Sequence, residues 1–582
     1  MKYIKLNTAT SLVVLLIAVF LLSEIIKYEK KLTVLTLMFI LGLIGIISKY
    51  SRKNKESAFT INYSLSNNSF VFVVFNFCLM LFLQNYYLNY ETITWDVSSY
   101  LVSIQEIKDG NLPYTSQWES KSPLNYYVYY FLSALVNDNY VWFKILNDVI
   151  VFLISLNLFF YLKKSKEPSL LIFISPIIFT LIISTKWFVS EFTEFYCLFL
   201  ISIAINLTHK QFPTKFQLFV TGLLFSFATL INQGSVILFF GYLIYIFINF
   251  RLKDVVEKLM YSGFGFFIPY LVTVVIYIQA DLLDVLIANY VEIPLGYSES
   301  NASSLYEIRV FLREIYSHNF FLYFTILSIF VVLILEAIHT KKKSIFNFLM
   351  DKDYLFFLTG VAYYFIAGHN YYHHFIYAVF FFCILVSKII QKQNIKTVSI
   401  MLIITLSTTL YNSYDKSLDN LTSLDVLYDS YPLKNLAIEI DSQMYEDNYS
   451  ILALDYVLVL YYLEKPNYSY IIHPTNHYQE YITNPLIKTG KLEYNEILKL
   501  FNSKPEVIIC NSRAIDNGGQ VINVDPILFG KKIEEGQVNS CSLDYLKDYY
   551  FLLDTSKYRN NPNLSYYKDP YKDMNVFILK KS

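Results

Sequence analysis

The side chains in this sequence that could do chemistry are few and stand at the edges of apolar blocks. Asp96 lies in Thr94-Trp95-Asp96, and Glu191 and Glu194 lie in Ser190-Glu191-Phe192-Thr193-Glu194. An ionisable group at such a boundary is costly unless it serves a site or reaches water. Cations accompany them: Lys108, Lys121, Lys186, Arg309 and Arg313, with His369, His373 and His374 at a further boundary. Carboxylates beside a cationic pocket are the parts of a general base next to a leaving phosphate. Lys121-Ser122-Pro123-Leu124 sets an ammonium just before a Pro-started helix, and both features favour an anion.

Plainer readings stand beside these. Each cation alone would suit a lipid headgroup, and Arg309 and Arg313, four apart, have Glu307 and Glu314 as neighbours. Asp96 precedes a helical pattern, so an N-cap role is compatible with that of a base. His369 and His373 have metal-ligand spacing, but no Cys or carboxylate set completes a site, so no metal is assigned. A divalent cation is left open, and no other cofactor is called for. His473 and His477 share that spacing around Pro474 and read as surface residues.

The elements that must position these groups follow from composition. Of 582 residues, 55% are hydrophobic and only 16% charged, which excludes an ordinary soluble enzyme and a disordered chain. Mean hydropathy is +0.39. The apolar residues come in runs long enough to cross a bilayer as helices. Thirteen spans are expected, at 8–26, 32–48, 69–86, 140–162, 168–185, 188–207, 215–232, 235–250, 259–279, 318–338, 354–368, 374–390 and 396–412. The first is too long, and lacks the small-residue cleavage site, for a removable signal peptide.

Short Lys- and Arg-bearing loops fall on one side if the N-terminus is cytoplasmic. Loops 87–139 and 280–317 then face outward, as does the polar stretch 413–582. Val97, Tyr100, Leu101 and Ile104 fall on one helical face, predicting an interfacial helix that ends at the turn Asp109-Gly110-Asn111. A second amphipathic stretch covers 123–138. In the tail, Ile451 to Leu454, Val507 to Cys510, Phe551 to Leu553 and Val576 to Leu579 read as strands of a small α/β domain. The fold class expected is therefore a mainly α, polytopic membrane bundle carrying a small C-terminal α/β domain outside the membrane. Net charge is zero, so nucleic acid is not an expected partner.

The order of these features resembles the GT-C superfamily of glycosyltransferases. An aspartate follows an early span, then come an interfacial helix, Gly110-x-x-Pro113-Tyr114, and Trp118-Glu119-x-Lys121-x-Pro123-Leu124; Thr193-Glu194 and Tyr372-His373-His374-Phe375 open later spans. Within the superfamily the chain looks like the family 39-like bacterial branch similar to protein mannosyltransferases and lipid A aminoarabinose transferase. The resemblance covers about 69–412, leaving two extra spans in 1–68 and the domain 413–582. It implies an inverting transfer from a polyprenyl-phosphate sugar to a lipid or glycan acceptor at the outer face of the bacterial cytoplasmic membrane. By position, Asp96 would be the general base, Glu194 or Glu191 the second acid, and Lys121 with His373 or His374 would face the donor phosphate. Ser122 replaces the usual first Pro of that motif, and the paired acidic motif of eukaryotic protein mannosyltransferases is missing, which argues against a protein acceptor.

Two other readings use the same substrates. A transporter or flippase of lipid-linked sugars would place ionisable groups and broken helices near mid-membrane, usually in repeated halves, and no repeat is visible. A polysaccharide polymerase or ligase would present outward Arg or His without a paired acidic base. A scaffold would need none of these groups.

Overall fold

The computed structural model describes residues 65–92, 94–164, 171–185, 188, 191–209, 213–300, 315, 319–323, 326, 351–366, 371–390, 395–494, 496–511, 549–564 and 574–580. The expected spans at 8–26 and 32–48, and most of 318–338, lie outside them, as do Lys186, Arg309, Arg313 and His369.

Helices dominate. In chain order they include α1 (Leu65–Gln84), α2 (Trp95–Lys108), α3 (Pro123–Leu135), α4 (Tyr140–Lys164), α5 (Leu171–Ile183), α6 (Thr193–Leu207), α7 (Lys215–Ile231), α8 (Val236–Asn249), α9 (Leu252–Gln279), α10 (Lys352–Ile366), α11 (Ile376–Ile390), α12 (Ile395–Thr422) and α13 (Pro432–Gln443). Among the described residues three helices are long and apolar enough to cross a bilayer: Ser69–Tyr87, Tyr140–Lys164 and Leu252–Gln279. Shorter apolar helices accompany them at Ile172–Ile183, Thr193–Leu207, Lys215–Ile231, Gln233–Asn249 and Tyr372–Ser387. Among the described residues, then, three of the expected spans meet the length criterion and five others are present as shorter apolar helices.

With lipid as apolar as leucine, helices in such a bundle associate through close packing and internal polar bonds. Both are present. Asn76 on α1 donates to Ser155 Oγ on α4 at 2.9 Å and accepts from Thr180 Oγ1 on α5 at 3.1 Å. Helices α7 and α9 touch backbone to backbone at Gly222 and Gly265. A Cβ on Gly222 would lie 2.0 Å from the Ser262 carbonyl oxygen, and one on Gly265 would lie 2.0 Å from that of Phe219.

Helix α2 is present with Val97, Tyr100, Leu101 and Ile104 all buried, and Gly110 makes the expected turn at φ +78. Helix α12 does not stop at 412. It continues for ten further residues, a single 28-residue rod leading from the apolar run into the C-terminal domain. All four expected strands form: β1 (Ile451–Ala453), β2 (Val507–Asn511), β3 (Tyr550–Leu553) and β4 (Met574–Leu579). They make one mixed sheet in the order β1-β2-β4-β3, with β1 and β2 parallel and the other pairs antiparallel. Cys510, in β2, is disulfide-bonded, while Cys78, Cys197 and Cys383 are free.

The C-terminal domain is tied to the loops of the helical body. Backbone N–H groups of Glu91 and Thr92 donate to Asn563 and Leu564 at 2.8 and 3.1 Å, and Tyr431 Oη donates to the Leu88 carbonyl at 2.6 Å. Trp118 and Ile471 form a parallel β-bridge between the loop before α3 and the domain. These contacts hold the domain over the end of the bundle where the candidate residues lie.

Candidate active site

Asp96 sits in the first turn of α2, but it is not the cap. Thr94 takes that place in extended backbone, and its Oγ1 accepts the Val97 N–H at 3.3 Å. The N-cap reading of Asp96 is therefore corrected: the hydroxyl two residues earlier already serves the helix end, which leaves the carboxylate for other partners. Its Oδ1 lies 3.4 Å from His473 Nε2. The Asp96 side chain is 36% exposed, and that of Glu194 only 1%, so a reacting group can reach the first far more readily than the second.

His473 overturns a second expectation. It is buried, as is His477, because residues 467–478 pack into the joint between the domain and the loop before α3. Burial resists ionisation of Asp96, yet the hydrogen bond and charge of His473, with Lys121 and His373, hold its carboxyl well below the usual range. The partner shows the mirror effect: burial pulls His473 down, and Asp96 and Glu119 more than reverse it.

Lys121 is presented by a compact loop. Glu106 gathers that loop, accepting the Ser116 N–H at 2.7 Å and the Gln117 N–H at 3.3 Å. Tyr114, fully buried at φ +74, donates from Oη to the Lys121 carbonyl at 2.6 Å. Pro123 opens α3 directly behind Ser122. The Lys121 ammonium stands 5.7 Å from the Tyr100 ring centroid and bears electrostatically on Asp96, Glu194, His373 and His374. Near it, Glu119 is buried with one oxygen accepting from Ser120 and the other lacking a protein partner; burial raises its carboxyl.

Glu194, in the first turn of α6, is held on all sides. Asn232 Nδ2 donates to its Oε1 at 2.9 Å, Thr193 Oγ1 to its Oε2 at 3.2 Å, and Tyr363 Oη to Oε1 at 3.4 Å. His373 and His374, in the short 3₁₀ turn Tyr372–Phe375 before α11, bring their Nε2 atoms to 4.0 and 3.7 Å of Oε1. His373 stacks on Phe192, ring centroids 3.9 Å apart. One donor atom from each of Glu194, His373 and His374 lies within 4.8 Å of the others, so this trio, rather than a pair with His369, could hold a divalent cation. Lys121 already brings a positive charge toward the same carboxylate.

Glu191 goes elsewhere. It is buried opposite Lys144, which donates to the Tyr90 carbonyl, while its own backbone carbonyl accepts from Tyr129 Oη. The structure thus brings together Asp96, Lys121, Glu194, His373 and His374, and sets Glu191 in a separate cluster with Lys144. Three participants were given no site role from the sequence: His473, Glu119 and Asn232. For Asn232 a signal existed, since Asn232-Gln233-Gly234 interrupts two apolar runs.

An apolar groove of about 380 Å³ runs between α3, α7 and α9, lined by Leu112, Pro123, Leu124, Phe227, Val272 and Tyr277 among others. Its lining includes Pro123, two residues beyond Lys121.

No family model matches the chain, and no curated protein is similar to it in sequence. Among solved structures, the fold is similar to that of ArnT from Cupriavidus metallidurans bound to undecaprenyl phosphate. The TM-score is 0.51 at 9% identity, over 77% of this chain and 94% of that one. The likeness shows a common, mainly helical fold.

Proposed function

We propose that the protein is a GT-C-type glycosyltransferase that moves a sugar from a polyprenyl-phosphate donor to a lipid or glycan acceptor with inversion. The observation that carries this reading is the convergence of Asp96, Glu194, His373 and His374, from three separate segments, around the ammonium of Lys121. A displacement at the anomeric carbon needs a base for the acceptor proton and fixed positive charge for the departing phosphate. Asp96, ionised and accessible, suits the first task. Lys121 at the head of α3 suits the second, with His373 and His374 beside it. Glu194, buried and fully engaged, suits a fixed negative post that orients Lys121 and the two imidazoles.

The apolar groove supports the same substrate class. A phosphate at Lys121 would lead an isoprenoid chain toward Pro123 and the groove lined by Phe227 and Val272. The fold shared with a protein solved with undecaprenyl phosphate is consistent with that placement. The same reading places the reaction at the outer face of a bacterial cytoplasmic membrane, with the C-terminal domain on that side.

The test is turnover of labelled polyprenyl-phosphate sugars by purified protein in lipid, with membrane-lipid and glycan extracts as acceptors. Sugar transfer by wild type, lost in Asp96→Asn with donor binding retained, supports the assignment. Donor binding without turnover across donors and extracts overturns it in favour of a flippase.

A further inference from the structure

The C-terminal domain reaches into the site through one short segment. Trp118 N–H donates to the Tyr470 carbonyl at 2.6 Å, and Ile472 N–H donates back to the Trp118 carbonyl at 3.1 Å. Tyr470 Oη donates to the Tyr114 carbonyl at 2.8 Å, and Gln117 Nε2 to that of Asn467 at 3.3 Å. The loop so gripped is the one that presents Lys121. Directly after this bridge comes His473, whose ring meets the Trp95 ring edge-on at 6.4 Å.

The imidazole is oriented at both nitrogens. Thr475 N–H points at Nδ1 from 3.3 Å, and a backbone N–H can only donate, so Nδ1 carries the lone pair in the neutral ring. The proton then resides on Nε2, 3.4 Å from Asp96 Oδ1. Thr475 Oγ1, 3.0 Å from Nδ1, can accept when the ring is protonated. A partner that fixes a reacting group's rotamer through one atom leaves its other atom free for the substrate.

We propose that His473 is a positioning residue for Asp96, so that the C-terminal domain completes the catalytic centre instead of merely covering it. This rests on the transferase reading. His473 Nε2–H engages Oδ1, and Oδ2 faces the acceptor. In the transfer, the acceptor oxygen bonds to the anomeric carbon as the bond from that carbon to the phosphate oxygen breaks. The acceptor proton passes to Oδ2, and the electron pair of the broken bond leaves on the phosphate beside Lys121. His473 neither gains nor loses a heavy atom. The groups that act on it are Asp96 from α2, Glu119 and Lys121 from the loop before α3, and Asp455 and His477 from its own domain.

The experiment has two arms on the full-length protein in lipid. In the first, turnover of a labelled polyprenyl-phosphate sugar is followed against pH for wild type, His473→Ala and His473→Gln. His473→Ala is expected to lower kcat roughly 10–100-fold with little change in donor KM, the range for losing a partner that orients a reacting group. Its acid limb should move to higher pH, because the Asp96 carboxyl loses the bond that favours its charge. His473→Gln, which keeps an N–H donor, should recover part of kcat. In the second arm, ring nitrogen-15 NMR follows the titration of His473, assigned by its loss in His473→Gln. Its midpoint should fall in Asp96→Asn.

Loss of kcat/KM by the same factor at every pH, with no rescue by Gln, overturns the proposal in favour of simple domain docking. Wild-type kinetics in both variants overturn it while the transferase reading stands. An unmoved His473 titration in Asp96→Asn overturns it whatever the turnover. A moved titration in a protein that turns over no donor overturns both, leaving a structural pair.

Discussion

The carboxylate of Glu91, in the loop after α1, accepts the backbone N–H of Leu433 at 2.7 Å and that of Lys434 at 3.0 Å. Glu91 thereby caps α13 of the C-terminal domain from outside it, at the end where unpaired N–H groups favour negative charge. The loop that leads to Asp96 and the domain that carries His473 share this joint. Removing the side chain strands two backbone donors, so Glu91→Ala should cost about 1–3 kcal/mol. Thermal unfolding and protease release of the C-terminal domain would report it.

The same residue gives a pH signature. Burial is the leading cause that pushes the Glu91 carboxyl up from 4.5 to about 7, against the hydrogen bonds from Leu433 and Lys434 and the charge of Lys144. The folded state therefore binds this proton more tightly than the unfolded chain does. That contribution is fully present below about 4.5 and is lost as the pH rises to about 7. Between those values the stability of wild type relative to Glu91→Ala should fall. An unchanged difference between pH 4.5 and 7.5 would show that Glu91 is charged throughout.

Asp96 and Glu194 are both carboxylates of a helix first turn, yet their environments assign them different work. Asp96 is open and paired at one oxygen; Glu194 is closed and bonded by Asn232, Thr193 and Tyr363. Asp96→Asn should lower kcat about 10²–10⁴-fold with donor binding kept, as expected for a lost general base. Glu194→Gln should instead weaken donor binding and kcat together, since it releases His373, His374 and Lys121. Equal effects of both variants on kcat alone would contradict this division. Single-turnover kinetics with labelled donor separate the two.

How much of this was legible from the sequence depends on whether a residue's role is local. Helix α2, the turn at Gly110 and all four strands are written in short periodicities and turn residues, and they form as expected. Asp96, Glu194, His373 and His374 stood out because they lie at the ends of apolar runs, and Lys121 because it precedes a Pro-started helix. Thr94 shows the limit of local reading, since a hydroxyl and a carboxylate two apart both fit an N-cap and only backbone geometry decides. His473 lay beyond it. Its burial comes from the bridge between Trp118 and Ile471, 353 residues apart in sequence, which no spacing announces. Glu191 fails for the converse reason: its sequence setting matches that of Glu194, but it lies in the turn before α6 and not in its first turn, and it is buried toward Lys144.

Lys121 offers the most direct test of the donor end. A cation aimed at a departing phosphate stabilises charge that develops in the transition state, and losing one such donor costs about 10²–10³ in rate. Lys121→Met should show a loss of that size and weaker binding of a polyprenyl phosphate carrying no sugar. Lys121→Arg should keep more binding than rate, because the broader guanidinium misplaces its charge behind Ser122-Pro123. Equilibrium binding of the sugar-free lipid, measured beside turnover, separates the two effects. Unweakened binding in Lys121→Met would remove the phosphate from this end of α3, and the groove beyond Pro123 would lose its claim to the isoprenoid chain.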